Sequence, residues 1–174
     1  MRNVPIHQSV TPLDAEPRRS WAEGLVGETV GQVMVTHPKP LPVDATVGEV
    51  LDVFDDDHVH MVLLVEGAIL RGTVERHDLP GDLRSASERD RRRMDRPALV
   101  LASLNGRTVS PTMPVLAARE LLLARRSRRS AVVDERGALL GLLCLKRRLT
   151  GFCSDADVAA RAADRVGHAE RWGR

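Results

Sequence analysis

The sequence contains no tyrosine, and two tryptophans and two phenylalanines bring aromatics to only 2% of its 174 residues. That scarcity disfavours a base-stacking platform for single-stranded nucleic acid, where each base needs a ring to lie on. Cysteine is as rare. Cys144 and Cys153 alone supply neither a disulfide framework nor metal-ligand spacing, which points to a reducing interior. No apolar run reaches the ~18 residues of a membrane span. Residues 1–21 mix prolines with both charge signs, unlike the apolar stretch of a secretory leader. These absences predict a cytoplasmic protein with no membrane span. Neither a Gly-rich phosphate loop nor a Gly-x-Ser-x-Gly elbow occurs, so no catalytic residue and no enzyme is predicted. Lysine is scarce too: only Lys39 and Lys146 among 26 basic residues, the others being arginine. That bias follows either from a GC-rich genome or from a surface built for phosphate, where the planar guanidinium makes paired contacts.

What is present is an internal repeat. Residues 33–54 match residues 101–122 at an offset of 68, and residues 61–79 match 130–148 at an offset of 69. Gly72 falls on Gly141, Val47 on Val115 and Leu41 on Val109. Each copy, about 50 residues long, is too small to close a robust core alone, so the two must pack together.

Both copies read alike. A short extended piece (40–43; 107–109) precedes a helix. In the first copy Val47, Val50, Leu51 and Phe54 fall on one helical face, started by a capping box of Thr46 and Glu49. In the second, Val115, Ala118 and Leu122 repeat that face, with Pro114 at the first turn. Two apolar runs follow (61–65 and 69–74; 131–133 and 138–145), each pair joined by a glycine turn and read as paired strands. Their unbroken apolar character implies cover on both faces. Ser154, with Asp155 and Asp157 behind it, marks a C-terminal helix running to about His168. The expected divisions are a disordered tail (1–24), a first unit (25–82), a charged linker (83–97), a second unit (98–150), and a C-terminal helix and tail (151–174).

The ordered set resembles a tandem pair of cystathionine β-synthase (CBS) domains. Val30-Gly31-Gln32-Val33-Met34 resembles the lead-in of such a domain, Asp44 to Leu51 the start of its main helix, and Gly72 to Leu79 its closing segment with a late aspartate. With the arginine bias, the resemblance is to a stand-alone bacterial pair of actinobacterial type. It implies an α/β (α+β) fold: two βαββα units packed pseudo-symmetrically into one compact module, followed by a C-terminal helix. It also implies a non-catalytic regulatory module with no required cofactor. Such a module binds an adenosyl ligand (AMP, ADP, ATP or S-adenosylmethionine) between its units and forms a flat homodimer. With no effector domain fused in this sequence, its effector is expected to be a separate protein, or to be reached through the N-terminal tail or the C-terminal helix.

On that resemblance Asp78 takes the position of a carboxylate that accepts both ribose hydroxyls. Glu75 stands where a threonine or serine is usual; it can accept a ribose hydroxyl but repels phosphate. The purine slot comprises Thr36, Lys39 and Pro40 with His60, Met61 and Val62. Lys39, Arg76 and His77 are placed to meet phosphate. In the second copy the equivalent positions hold Cys144 and Arg147, so the carboxylate is lost. There Arg107, Arg129, Lys146, Arg147 and Arg148 either attract phosphate or an acidic partner, or form a solvated basic face. At most one ligand site per chain is expected, in the first unit, and Asp78 also suits a cap for the turn near Leu79.

Arg125 to Arg129 ends the second helix, where cations favour the helix dipole. A nucleic-acid patch is the sharper reading, opposed by the lack of a helix-turn-helix pattern and by the few aromatics. His58 and His60 near Asp55 to Asp57 superficially suggest a metal. None is expected, because 55–58 reads as an exposed helix end while His60 starts a strand. Cys144, on a buried strand, reads as a small hydrophobe. The rival to a sensor is a CBS scaffold that has lost its ligand, a reading carried by Glu75, Cys144 and Arg147.

Overall fold

A computed structural model describes residues 23–80, 92–161 and 163. The expected disordered tail, save its last two residues, lies outside them, as do much of the charged linker and the end of the C-terminal helix. The first copy forms α1 (Val30–Val33), β1 (Leu41–Pro42), α2 (Val47–Phe54), β2 (Met61–Glu66) and β3 (Ile69–Glu75), then a 3-10 turn, Arg76–Asp78. The second forms a 3-10 turn (Ala98–Leu101), β4 (Thr108–Val109), α3 (Val115–Ala124), β5 (Arg129–Val133) and β6 (Leu139–Cys144). Residues 155–161 are helical. This is the mixed α and β, twice-repeated fold that the sequence predicts.

Local chemistry sets these elements. At the start of α2 the Glu49 N–H donates to Thr46 Oγ1 at 3.2 Å, and the Thr46 N–H donates to the Glu49 carboxylate at 2.7 Å. This reciprocal cap satisfies two donors that a helix start leaves bare. Each sheet has three strands: β1 runs parallel to β2, which is antiparallel to β3, and β4–β5–β6 repeat that order. Val62, Leu64 and Val74 pack with Val47, Val50 and Phe54 of α2. From the opposite face Met61, Leu63 and Leu70 pack on Ala131 of the second sheet. Both faces of β2 are therefore covered, as its unbroken apolar run requires.

The two copies exchange their lead-in segments. Thr73 of β3 and Ser103 trade backbone hydrogen bonds of 3.1 and 2.9 Å, while Leu142 of β6 and Val35 do the same at 2.9 Å each way. At the helix starts, the Val47 N–H donates to Arg96 O and the Val115 N–H to Glu28 O, both at 2.9 Å. Ala98 thus completes the core around α2, and Val30 the core around α3. Arg96 and Pro97, read in the sequence as the end of a linker, are backbone partners of the first copy's helix start. Two glycines permit this approach. A Cβ on Gly72 would lie 2.5 Å from the Ala102 Cβ, and one on Gly141 would lie 2.5 Å from the Val35 carbonyl oxygen and 2.6 Å from Met34 Sδ.

Gly141→Ala drives a methyl into backbone and is expected to cost about 1–3 kcal/mol, the range for overpacked cores. Denaturant melts should show a lower midpoint with an unchanged slope. An unaltered midpoint would mean that the crossing is not held as tightly as the geometry states.

Candidate functional site

Between the copies, two adjoining hollows of about 200 and 380 Å³ share Glu75, His77 and Ser127. One is otherwise lined by His60, Arg76, Arg126, Arg128 and Arg129; the other by Asn105, Gly106, Arg107 and Arg125. The first copy contributes the end of β3 and the turn after it. The second contributes the chain before β4 and the junction of α3 with β5. The result is one polar cleft, strongly basic, with Glu75 as its acid.

Asp78 lies at the cleft's edge in a fork-on-fork pair with Arg107. The two guanidinium nitrogens reach its two oxygens at 2.6 and 2.8 Å, and the Glu75 N–H donates to it at 2.7 Å. Both side chains are mostly buried, about 15% exposed. Arg107 also donates to the Thr73 carbonyl at 3.1 Å, so it touches the crossing between the copies. Burial pushes the Asp78 carboxyl upward, but the Arg107 guanidinium and the Glu75 N–H outweigh it and hold it below the usual carboxylate value. His60 is pushed down to about 4 by its own burial and by Arg129, Arg128 and Arg76, so its ring is neutral at physiological pH.

Arg126 has an unusual backbone. α3 ends with the Arg126 N–H on Leu123 O and the Ser127 N–H on Leu122 O, both 3.0 Å, the paired bonds of a Schellman motif. That motif places Arg126 at φ 53°, where glycine is the unstrained choice. An arginine there accepts a backbone cost in order to put a guanidinium on the cleft wall. Arg76 is mostly engaged in structure. It donates to the carbonyls of Phe54, Asp56 and Val59 at 2.6–3.0 Å and lies 5.0 Å from the Phe54 ring centroid.

The opposite side of the pseudo-symmetric pair is covered by the chain itself. After β6, Phe152 pairs with Leu145, and the Cys153 N–H donates to Cys144 O at 2.7 Å. Asp155 accepts from the Thr36 N–H at 2.9 Å and its hydroxyl at 2.7 Å, and Asp157 pairs with Lys146 at 3.1 Å. The C-terminal segment thus lies across the positions that correspond to Glu75, His77 and Leu104.

Of the residues singled out in the sequence, the cleft gathers His60, Glu75, Arg76, His77, Arg107 and Arg129, with Asp78 behind Arg107. Thr36 is bound by Asp155 instead, because lead-in segments are exchanged and residues 35–36 meet the second copy. Lys39, Pro40 and Arg147 are exposed and line neither hollow. Met61 and Val62 are core residues, 5% and 2% exposed. Asn105 and Gly106 carried no signal in the sequence. The run Arg125 to Arg129 was noted there, but not that it faces the first copy's closing turn.

A twice-repeated unit with exchanged lead-in segments and a polar cleft at the junction defines a tandem two-repeat module. The chain belongs to the CBS domain family, whose model matches residues 30–79 and 94–152. No curated protein sequence matches it significantly. Among solved structures it is similar to CBSX2 in complex with AMP (22% identity, 81% of this chain and 99% of that one, TM-score 0.58). It is also similar to the CBS domain protein PAE2072 from Pyrobaculum aerophilum complexed with AMP (26%, 70% and 94%, 0.54). A third is the CBS domain of a bacterial CNNM/CorC family Mg2+ transporter in complex with ATP (20%, 72% and 87%, 0.57).

Arg107→Ala should raise the Asp78 carboxyl, read by carbon NMR titration. Since the folded state holds this group below its unfolded value, its stabilisation is full above the ordinary carboxylate range and is lost as pH falls through the folded value. The variant should forfeit roughly 1.5–3 kcal/mol at neutral pH, the scale of hydrogen bonds to a charged group. It should also show a flatter acid limb.

Proposed function

We propose that the protein is a non-catalytic regulatory CBS pair that senses an adenine nucleotide in the cleft between Glu75 and Arg125 to Arg129. The observation that carries this reading is the convergence of Arg126, Arg128 and Arg129 on one hollow, with Arg107, the partner of Asp78, lining the adjoining one. Arginine forks bind phosphate oxygens in pairs. A cleft of this sign favours AMP, ADP or ATP over S-adenosylmethionine, whose sulfonium is itself a cation. The neutral His60 ring adds a polar edge without charge.

In this reading the ribose diol competes with Arg107 for Asp78. Arg107, once displaced, turns toward phosphate and leaves the Thr73 carbonyl at the crossing. The ligand thereby favours one arrangement of the two copies by its differential affinity, which is what a signal to another protein requires. A cytoplasmic homodimer read by a separate effector protein completes the proposal. With the other side covered by the C-terminal segment, one ligand binds per chain. A second reading, a scaffold without ligand, is favoured by the fact that Arg107 already satisfies Asp78.

Thermal melts with AMP, ADP, ATP, NAD and S-adenosylmethionine separate the two. Binding only to the folded state adds about 2.7 kcal/mol at a hundred times Kd. The melting point should therefore rise with nucleotides, and less so in Asp78→Ala. No shift at millimolar nucleotide defeats the sensor and leaves the scaffold.

Arg126→Gly is a sharper probe. Relieving the left-handed arginine should stabilise the free protein by up to about 1 kcal/mol, while nucleotide binding weakens and its salt dependence becomes shallower. Unchanged binding would remove Arg126 from the site.

A further inference from the structure

The chain's two cysteines, nine positions apart, are brought together by the strand-like return after β6. Leu145 faces Phe152 across an antiparallel bridge, and the Lys146 N–H donates to Gly151 O at 2.8 Å. Cys144 and Cys153 are the next opposed pair, with sulfurs 3.2 Å apart and both residues buried. Directly opposed antiparallel residues have Cα atoms about 4.5–5.5 Å apart, within the ~4.4–6.8 Å that a disulfide spans. Neither thiol has another cysteine to choose.

We propose that Cys144 and Cys153 form a reversible dithiol–disulfide pair that fastens the C-terminal segment across the side of the pair opposite the polar cleft. The same segment carries Asp155, held by Thr36, and Asp157, held by Lys146, so the sulfur link closes the cover these contacts begin. The oxidant is a low-molecular-weight disulfide. The Cys153 thiolate attacks one of its sulfurs, forming a mixed disulfide and releasing one small thiolate, which takes a proton. Cys144 then gives up its proton and attacks the Cys153 sulfur, expelling the second small thiol. One small disulfide and two protein thiols become one protein disulfide and two small thiols.

The two sulfurs suit unequal roles. The neighbouring Cys144 S–H and the Arg161 guanidinium, 3.7 Å from Cys153 Sγ, lower the Cys153 thiol, which makes it the attacking group. Cys144 is held as a thiol by Cys153 and by burial, as a resolving partner should be until the first step is done.

The test uses the full chain and oxidised glutathione. The expected product is lighter by two hydrogens, carries no glutathione, and after denaturation offers no thiol to maleimide. Dithiothreitol should restore both thiols. Cys144→Ala should trap glutathione on Cys153, whereas Cys153→Ala should take up little. Limited proteolysis within 151–163 should be slower for the oxidised protein than for the reduced one. Two maleimide-reactive thiols after oxidation, or a stable glutathione adduct on the unaltered chain, would overturn the pair. Equal proteolysis of the two forms would overturn the fastening. The wild-type mass readout stands even if a cysteine variant fails to fold.

Discussion

Two backbone crossings, at Gly72 and Gly141, decide how everything else is placed. At each, a strand runs so close to the other copy's lead-in segment that a Cβ on the glycine would collide, with the Ala102 methyl at Gly72 and with the Val35 carbonyl at Gly141. The hydrogen bonds of Thr73 with Ser103 and of Leu142 with Val35 follow from that proximity. So does the completion of each helical core by a residue from the other copy, Ala98 on one side and Val30 on the other. Because the closing turn of one copy then faces the lead-in of the other, the cleft between Glu75 and Arg125 to Arg129 is a joint product of both copies.

The duplicated frame carries unequal chemistry. On one side an acid pair, Glu75 and Asp78, faces five arginines: Arg107 forks onto Asp78 with both side chains mostly buried, and Arg126 is held in a left-handed turn. On the other side Cys144 and Arg147 replace the acids. The chain's own aspartates, Asp155 and Asp157, are brought in from outside the repeat. A carboxylate thus reaches both halves, but on one side it arrives from the tail and binds a threonine and a lysine of the frame.

Much of the frame was legible. The capping box of Thr46 and Glu49, the helical face of Val47, Val50 and Phe54, and the paired apolar runs are local signals, and local signals survive into the structure. The exchange of lead-in segments was not legible, because a repeat read at a constant offset looks the same whether each segment packs on its own copy or on the other. That ambiguity sent Thr36 to the wrong neighbour and hid the facing of Arg125 to Arg129 toward the turn at Glu75. The two cysteines were read one at a time, as a count and as a buried hydrophobe. Their meeting depends on the reversal around Gly151 after β6, a non-local event that carries no periodic signal.

Exchanged lead-in segments have a consequence for assembly. Take one copy alone, and its natural partner is a second identical copy that lends the same segment in return: a swapped dimer. The present chain has the geometry such a dimer would have, with both halves on one chain. Joining the halves turns a concentration-dependent encounter into an intramolecular one, at an effective concentration that a short tether holds near the millimolar range. Halves on one chain need not be alike, and here one side of the pair carries Glu75 and Asp78 where the other carries Cys144 and Arg147.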